Sequence, residues 1–276
     1  MKKNKRFRLL GDIIGMAAAF LIFVVPFIFI LSNSLKDRRE ANLLQLALPE
    51  TFVWKNYSEV FTANNYILLT AFKNSILLTV FSVGGLIIVC SMAGYILQRR
   101  KDGLTKAANF VTMMGLMVPP AILPTIWITQ GLHIDGTMFS MVMIEIALQI
   151  PFDIMLYRGF VGTIPIELEE AGYIDGCERL GMFCKIIFPL LKPVTATVII
   201  LNAVSVFNDF TNPLYFFPGR KNATVQLTLY NFMGQYQSSY NLLFADVIII
   251  TIPMLILFII FNKRIVDGMV AGSVKG

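Results

Sequence analysis

Six apolar stretches alternate with polar loops along this chain, at residues 13–32, 75–97, 107–131, 138–157, 194–217 and 242–261. Each is close to the ~20 residues that a helix needs to cross a hydrocarbon core. Lipid offers the backbone no hydrogen-bond partners, so runs of this length must be helices. The pattern predicts an all-α membrane protein with six transmembrane helices. Composition agrees: 56% hydrophobic and 14% charged residues is far more apolar than a soluble domain. Pro119, Pro120 and Pro124 fall inside the third stretch. They predict a kink there, either beside a water-filled cavity or as ordinary helix packing. Gly11 and Gly15 form a small-xxx-small pair at the edge of the first stretch, a weak signal of helix contact.

The net charge of +6 would suit nucleic acid if the cations were clustered on one soluble face, but their distribution argues against that. Of the 23 basic residues, 16 lie before the first stretch, after the second, after the fourth and after the sixth. By the positive-inside rule those loops and both termini are cytoplasmic. The basic start and apolar middle of the first stretch could be a cleavable signal peptide. Its length and the poor cleavage site at Ser32-Asn33-Ser34 instead favour a retained anchor. Three cysteines provide no disulfide framework: Cys90 falls in a span, and Cys177 and Cys184 fall on the reducing side.

The chain divides on this reading into a preface of residues 1–70, a core of 71–264 and a tail of 265–276. The preface holds the first span and an outer segment carrying Phe52, Trp54, Tyr57, Phe61 and Tyr66. Such aromatics form a belt at headgroup level, or a docking surface for an external partner. Within the core, residues 158–193 form a long polar loop on the inner side. Pro165 suits a first helical turn, and Glu167, Glu169 and Glu170 complement the positive end of a helix dipole. Gly176 suits the helix end. Beyond it, Leu180, Phe183 and Ile186-Ile187 recur at helical spacing before Pro189, which predicts a second short helix. By itself this could be a hairpin that merely joins two spans.

The register of that loop carries a resemblance. Glu170-Ala171-Gly172, three residues, Gly176, nine residues, Ile186, one residue and Phe188-Pro189 reproduce the spacing of the coupling loop of ABC importer permeases. The family pattern has Ala at the place of Gly172 and Leu at the place of Phe188. Arg158-Gly159-Phe160, Phe207-Asn208-Asp209-Phe210 and the final 267–276 stretch resemble the carbohydrate-importing branch, which usually has Trp where Phe207 stands. The resemblance implies the type I ABC importer permease fold in a bacterial plasma (inner) membrane. It implies Glu170, Ala171, Gly172, Asp175, Gly176, Phe183 and Pro189 as the loop that engages an ATPase. It further implies a second related permease chain, two nucleotide-binding ATPase subunits that hold ATP and Mg, and an extracytoplasmic solute-binding protein. No cofactor is expected on this chain, nor nucleic acid as a partner; membrane lipid surrounds it.

Polar residues inside the spans suggest a route. Asn202, Ser205, Asp209 and Asn212 stack on one helical face of the fifth span, with Asn208 beside them. Glu145, Gln149 and Asp153 do so on the fourth, and Ser75, Thr79 and Ser82 on the second. Carboxylates at such depth face a cavity or a partner, so these stripes either line a pathway for a polar solute such as a sugar or bond helices to one another.

A membrane enzyme is the first competing reading. His133 is the only histidine, and neither the zinc-binding His-Glu-x-x-His nor the nucleophile-bearing Gly-x-Ser-x-Gly occurs. A secondary transporter is the second, yet the repeated halves common in that class are not apparent. A phosphate-binding Gly-x-x-x-x-Gly-Lys-Ser/Thr is also absent, so ATP hydrolysis is expected on another chain.

Overall fold

The computed structural model describes residues 11–12, 14–234 and 238–273, with side chains to residue 260. The helices used below are α1 (Ile14–Ser34), α2 (Arg38–Asn42), α3 (Lys55–Arg99), α4 (Gly103–Gly115), α5 (Ile122–Gly131), α6 (Met138–Val161), α7 (Glu167–Ile174), α8 (Arg179–Leu190), α9 (Lys192–Phe207), α10 (Thr211–Phe216) and α11 (Tyr240–Ser273). No strand occurs among the described residues.

Of the six predicted spans, α1, α3, α6 and α11 are long and apolar enough to cross a membrane. The fifth is divided. Its first part lies in α9, which meets the preceding α8 at a 74° bend. The last turns of the predicted stretch separate as α10, because α9 stops at Phe207. The third is interrupted more severely than a kink: α4 ends at Gly115 and α5 begins only at Ile122. Pro119 and Pro120 lie in the gap, and two adjacent residues without an N–H cannot continue the ladder of helical hydrogen bonds. Their rings also push the preceding residues into extended backbone. α3 is broken near its start, where Asn64, Asn65 and Tyr66 take positive φ.

Two π-turns share one cause. In α1 the Val25 N–H bonds to the Phe20 carbonyl, and in α8 the Phe188 N–H bonds to the Phe183 carbonyl. Each donor immediately precedes a proline, Pro26 or Pro189. A proline has no N–H, and its ring collides with the carbonyl four residues back, so one extra residue in the preceding turn relieves the clash. In α8 the consequence is a shift of register. Met182, Phe183 and Ile187 are buried, while Leu180 is 64% exposed. The apolar face therefore omits Leu180, contrary to the spacing read from the sequence, and includes Met182, which that spacing does not select.

The chain forms two compact units. The first comprises residues up to Leu69 together with Leu227–Ile252. Its centre is polar. Lys36 is wholly buried and donates to Asn33 Oδ1 at 3.2 Å and to the Gln45 carbonyl at 2.8 Å. Asn56 Nδ2 donates to the carbonyls of Ser34 and Lys36, both at 2.8 Å, and its Oδ1 accepts from Asn241 at 2.9 Å. These bonds fix the loop after α1 against the start of α11, since a buried polar group is costly unless it is hydrogen-bonded. Trp54 stacks on Tyr57 with centroids 6.4 Å apart.

The second unit, Thr70–Gln226 with residues from Pro253 onward, holds the main apolar core. Leu86 and Cys90 of α3, Ile154, Tyr157 and Val161 of α6, and Met182 and Ile187 of α8 meet there. Gly94 lets α3 lie against α6, because a Cβ at that position would come within 2.7 Å of Tyr157 Cβ and 2.9 Å of the Arg158 nitrogen. Close approach through small residues is how helices associate where lipid removes the hydrophobic drive. Asp102 starts α4, accepting from the Thr105 amide and hydroxyl at 2.8 Å. Those bonds, the backbone one foremost, hold its carboxyl below the ordinary carboxylate range.

Candidate functional site

The long inner loop folds as the two short helices α7 and α8 joined through Gly176. Gly176 sits at φ +79° with open space around its Cα, so the site demands a left-handed residue and not a small one. Gly172 has the opposite reason. A Cβ there would come within 2.6 Å of Ile186 Cδ1 and 2.7 Å of Met182 Cε, so a bulky Met and Ile fill the space that an alanine methyl would occupy. The departure from Ala at this position is thus compensated by the side chains of α8.

A clamp holds α7 in place. Glu169 is buried, and its Oε1 accepts from Arg99 Nε at 2.6 Å while its Oε2 accepts from Tyr95 OH at 2.7 Å. Arg99 Nη2 also donates to the Ile164 carbonyl at 2.8 Å. The end of α3 is therefore tied both to α7 and to the turn before it. Charge-assisted bonds of this kind are about twice as strong as neutral ones. With Glu169 and Gly172 turned inward, Glu170, Ala171 and Asp175 are exposed, together with Tyr173 at 53% and Ile174 at 85%. α7 thus presents a mixed acidic and apolar surface. Phe183 is buried in the core against Tyr95, and Pro189 is exposed. A cleft of about 440 Å³ runs beside α7, bounded by Tyr95, Tyr173, Arg179 and Phe183.

The polar stripes of the fourth and fifth predicted spans meet each other. From Glu145 to Tyr157, every fourth residue of α6 finds a partner: Asn212 Nδ2 donates to Glu145 Oε1 at 3.4 Å, Gln149 Nε2 to Ser205 Oγ at 3.1 Å, Asn202 Nδ2 to Asp153 Oδ2 at 2.8 Å, and Tyr157 OH to Thr195 Oγ1 at 3.1 Å. This is an antiparallel ladder of interhelical hydrogen bonds, each worth roughly 0.6–2 kcal/mol in a membrane. Glu145, Asp153 and Asn202 are buried within it. Gln149, Asp209 and Asn212 are half-buried, while Ser205 and Asn208 are exposed. Asp209 Oδ1 accepts from the amides of Thr211 and Asn212 at 2.8 and 3.2 Å, so it caps α10. Asn208 Oδ1 accepts from Gln226 Nε2 at 2.9 Å. The open polar surface thus gathers at the α9–α10 end of the ladder and not along its length.

Sequence reasoning treats Glu169 only as a complement to a helix dipole and does not single out Arg99 or Tyr95. Their partnership joins positions 70 and 74 residues apart, a distance at which no local spacing signals contact. The Asp209 cap was more accessible, since an Asp two residues before a helical Thr-Asn-Pro is a recognisable helix start.

Comparison with known proteins bears on this arrangement. Residues 85–270 match the family described as binding-protein-dependent transport system inner membrane component. The chain is 33% identical to the melibiose/raffinose/stachyose import permease protein MelC of Bacillus subtilis (strain 168), across 66% of this chain and 67% of that protein. It is 36% identical to the multiple sugar-binding transport system permease protein MsmG of Streptococcus mutans, across 60% and 58% of the two. A longer match, at 30% identity over 92% of this chain and 93% of the relative, is to the probable starch degradation products transport system permease protein AmyC of Thermoanaerobacterium thermosulfurigenes. In fold, the chain superposes with a TM-score of 0.84 on a bacterial ABC transporter involved in the import of the acidic polysaccharide alginate, at 20% identity over 95% of this chain and 98% of that one. A second likeness, with a TM-score of 0.69 and 14% identity over 94% of each chain, is to a bacterial alginate ABC transporter in complex with an alginate pentasaccharide-bound periplasmic protein. With its apolar helices and the ABC importer permease fold, this chain belongs to the family of binding-protein-dependent transport system inner membrane components and is a multi-pass membrane permease, not an enzyme.

Proposed function

We propose that this chain is one of two related permease subunits of an ATP-driven ABC importer for a sugar or oligosaccharide. In this reading α7 docks on an ATPase subunit and passes its movement into the spans. The observation that carries it is the clamped, outward-facing α7 in the register of the coupling loop, with Glu170, Ala171 and Asp175 exposed and Glu169 held by Arg99 and Tyr95. Rigid tethering to α3 is what a mechanical link needs, because force applied to a loosely held helix would not reach the bundle. Two ATPase subunits would hold ATP and Mg, and this chain would bind no cofactor. The basic loops put both termini and α7 in the cytoplasm. The core domain would run over residues 71–264, with its coupling loop at 158–193.

The names of MelC, MsmG and AmyC support sugar as cargo. The alginate transporter bound to a periplasmic protein supports delivery by an extracytoplasmic binding protein. Solute would pass the open polar end formed by Ser205, Asn208, Asp209 and Asn212, where amides and carboxylates can replace water around hydroxyl groups. Glu145, Gln149 and Asn202 would act one step back, by holding α6 and α9 together. Reconstituted uptake with a panel of neutral oligosaccharides, uronate oligosaccharides and amino acids tests the cargo. Asp209→Asn keeps an acceptor for the α10 cap and removes the charge, so it should lower uptake while assembly persists. ATP-dependent uptake of an amino acid with none of any saccharide would overturn the sugar assignment.

A further inference from the structure

A second cavity, apart from α7 and the polar ladder, lies where α3 and α6 finish and α4 begins. It measures about 230 Å³, and four of the residues that line it are cationic: Arg100, Lys101, Lys106 and Arg158. No carboxylate is among its lining residues. The neighbouring Asp102, whose Oδ1 accepts from Thr105 at the start of α4, offsets part of the Arg100 charge and leaves the cluster net positive. Arg158 is half-buried, and its guanidinium is fixed by two neutral oxygens, Gln98 Oε1 at 3.2 Å and Asn109 Oδ1. Amide oxygens orient a guanidinium without neutralising it, so the positive charge remains available to a ligand. Arg in such a planar, pre-set fork is suited to phosphate.

We infer that this cavity binds the phosphate headgroup of an anionic phospholipid. Two features favour a lipid over a soluble anion. The cavity stands at the ends of α3 and α6, two helices long and apolar enough to cross a membrane, and basic pockets between helices at headgroup level recognise anionic lipids. Continuing from Lys106 along α4 at helical spacing are Phe110, 65% exposed, and Met114, 46% exposed, which give an acyl chain an apolar track leading away from the cations. The volume is below the ~300–1,000 Å³ of sites for drug-sized ligands and suits a compact headgroup.

Native mass spectrometry of the full chain tests the inference, with phosphatidylglycerol, phosphatidylcholine and inorganic phosphate as probes. Wild type should retain phosphatidylglycerol and release phosphatidylcholine at equal concentration. The double substitution Lys101→Gln with Lys106→Gln removes two exposed cations, and should weaken phosphatidylglycerol roughly 25-fold, at about five-fold per cation. Arg158→Gln should weaken it as well. The matched change Arg220→Gln with Lys221→Gln, far along the chain, should leave retention unaltered. Equal retention by wild type and the Lys101/Lys106 variant, or equal retention of the zwitterionic lipid, overturns the site. Displacement of the lipid by millimolar inorganic phosphate would reassign it to a soluble anion and overturn the lipid assignment.

Discussion

Glu169→Ala should release α7 from the membrane helices, and the size of the effect follows from its surroundings. The Glu169 side chain is 7% exposed and that of Arg99 18%. Removing one partner of a buried ion pair costs about 3–5 kcal/mol, because the other charge is left without compensation. Water can reach Arg99 at its more open end, so the lower figure, about 3 kcal/mol, is expected here. That corresponds to roughly a hundredfold shift from docked to undocked α7. Arg99→Ala loses the same ion pair and the bond to the Ile164 carbonyl. If the clamp acts as a unit, the double variant should cost little more than either single one, with an interaction energy of about 2–3 kcal/mol. Two measurements on the assembled importer read this out. Hydrogen exchange across residues 167–174 should accelerate by about two orders of magnitude in each single variant. Substrate-stimulated ATP hydrolysis should fall while basal hydrolysis persists. Additive single and double variants, or full stimulation in Glu169→Ala with unchanged exchange, would refute the clamp as the link between α7 and α3.

Two further outcomes test the loop and its orientation. Gly176→Val meets no steric obstacle, so its cost is the left-handed backbone alone, about 1–2 kcal/mol for an ordinary residue and more for a β-branched one; stimulated ATPase activity should drop with normal membrane insertion, and Gly176→Asn should retain more than Gly176→Val. With Cys90 and Cys184 replaced, Cys177 should resist a membrane-impermeant thiol reagent in intact cells and react after permeabilisation; labelling from outside would reverse the topology.

Apolar run length and the obligation to satisfy backbone hydrogen bonds in lipid sufficed to read an all-helical membrane chain, and Pro165, Gly176 and the apolar spacing before Pro189 sufficed to read two short helices between spans. Those are local properties, carried by residues near one another in sequence. Three features were decided only by tertiary structure. Pro119-Pro120 predicted a kink, whereas the folded chain has a gap between α4 and α5. The stripes headed by Glu145 and Asn202 could each line a pathway or bond to another helix; only the antiparallel placement of α6 against α9 and α10 makes them partners. Likewise the burial of Glu169 and the need for Gly at 172 depend on Arg99, Met182 and Ile186, which chain order does not place beside them. A helical period states which residues share a face, but what that face meets is set by the packing of other helices, and in lipid, where hydrophobicity does not distinguish one neighbour from another, polar bonds and close fits make that choice.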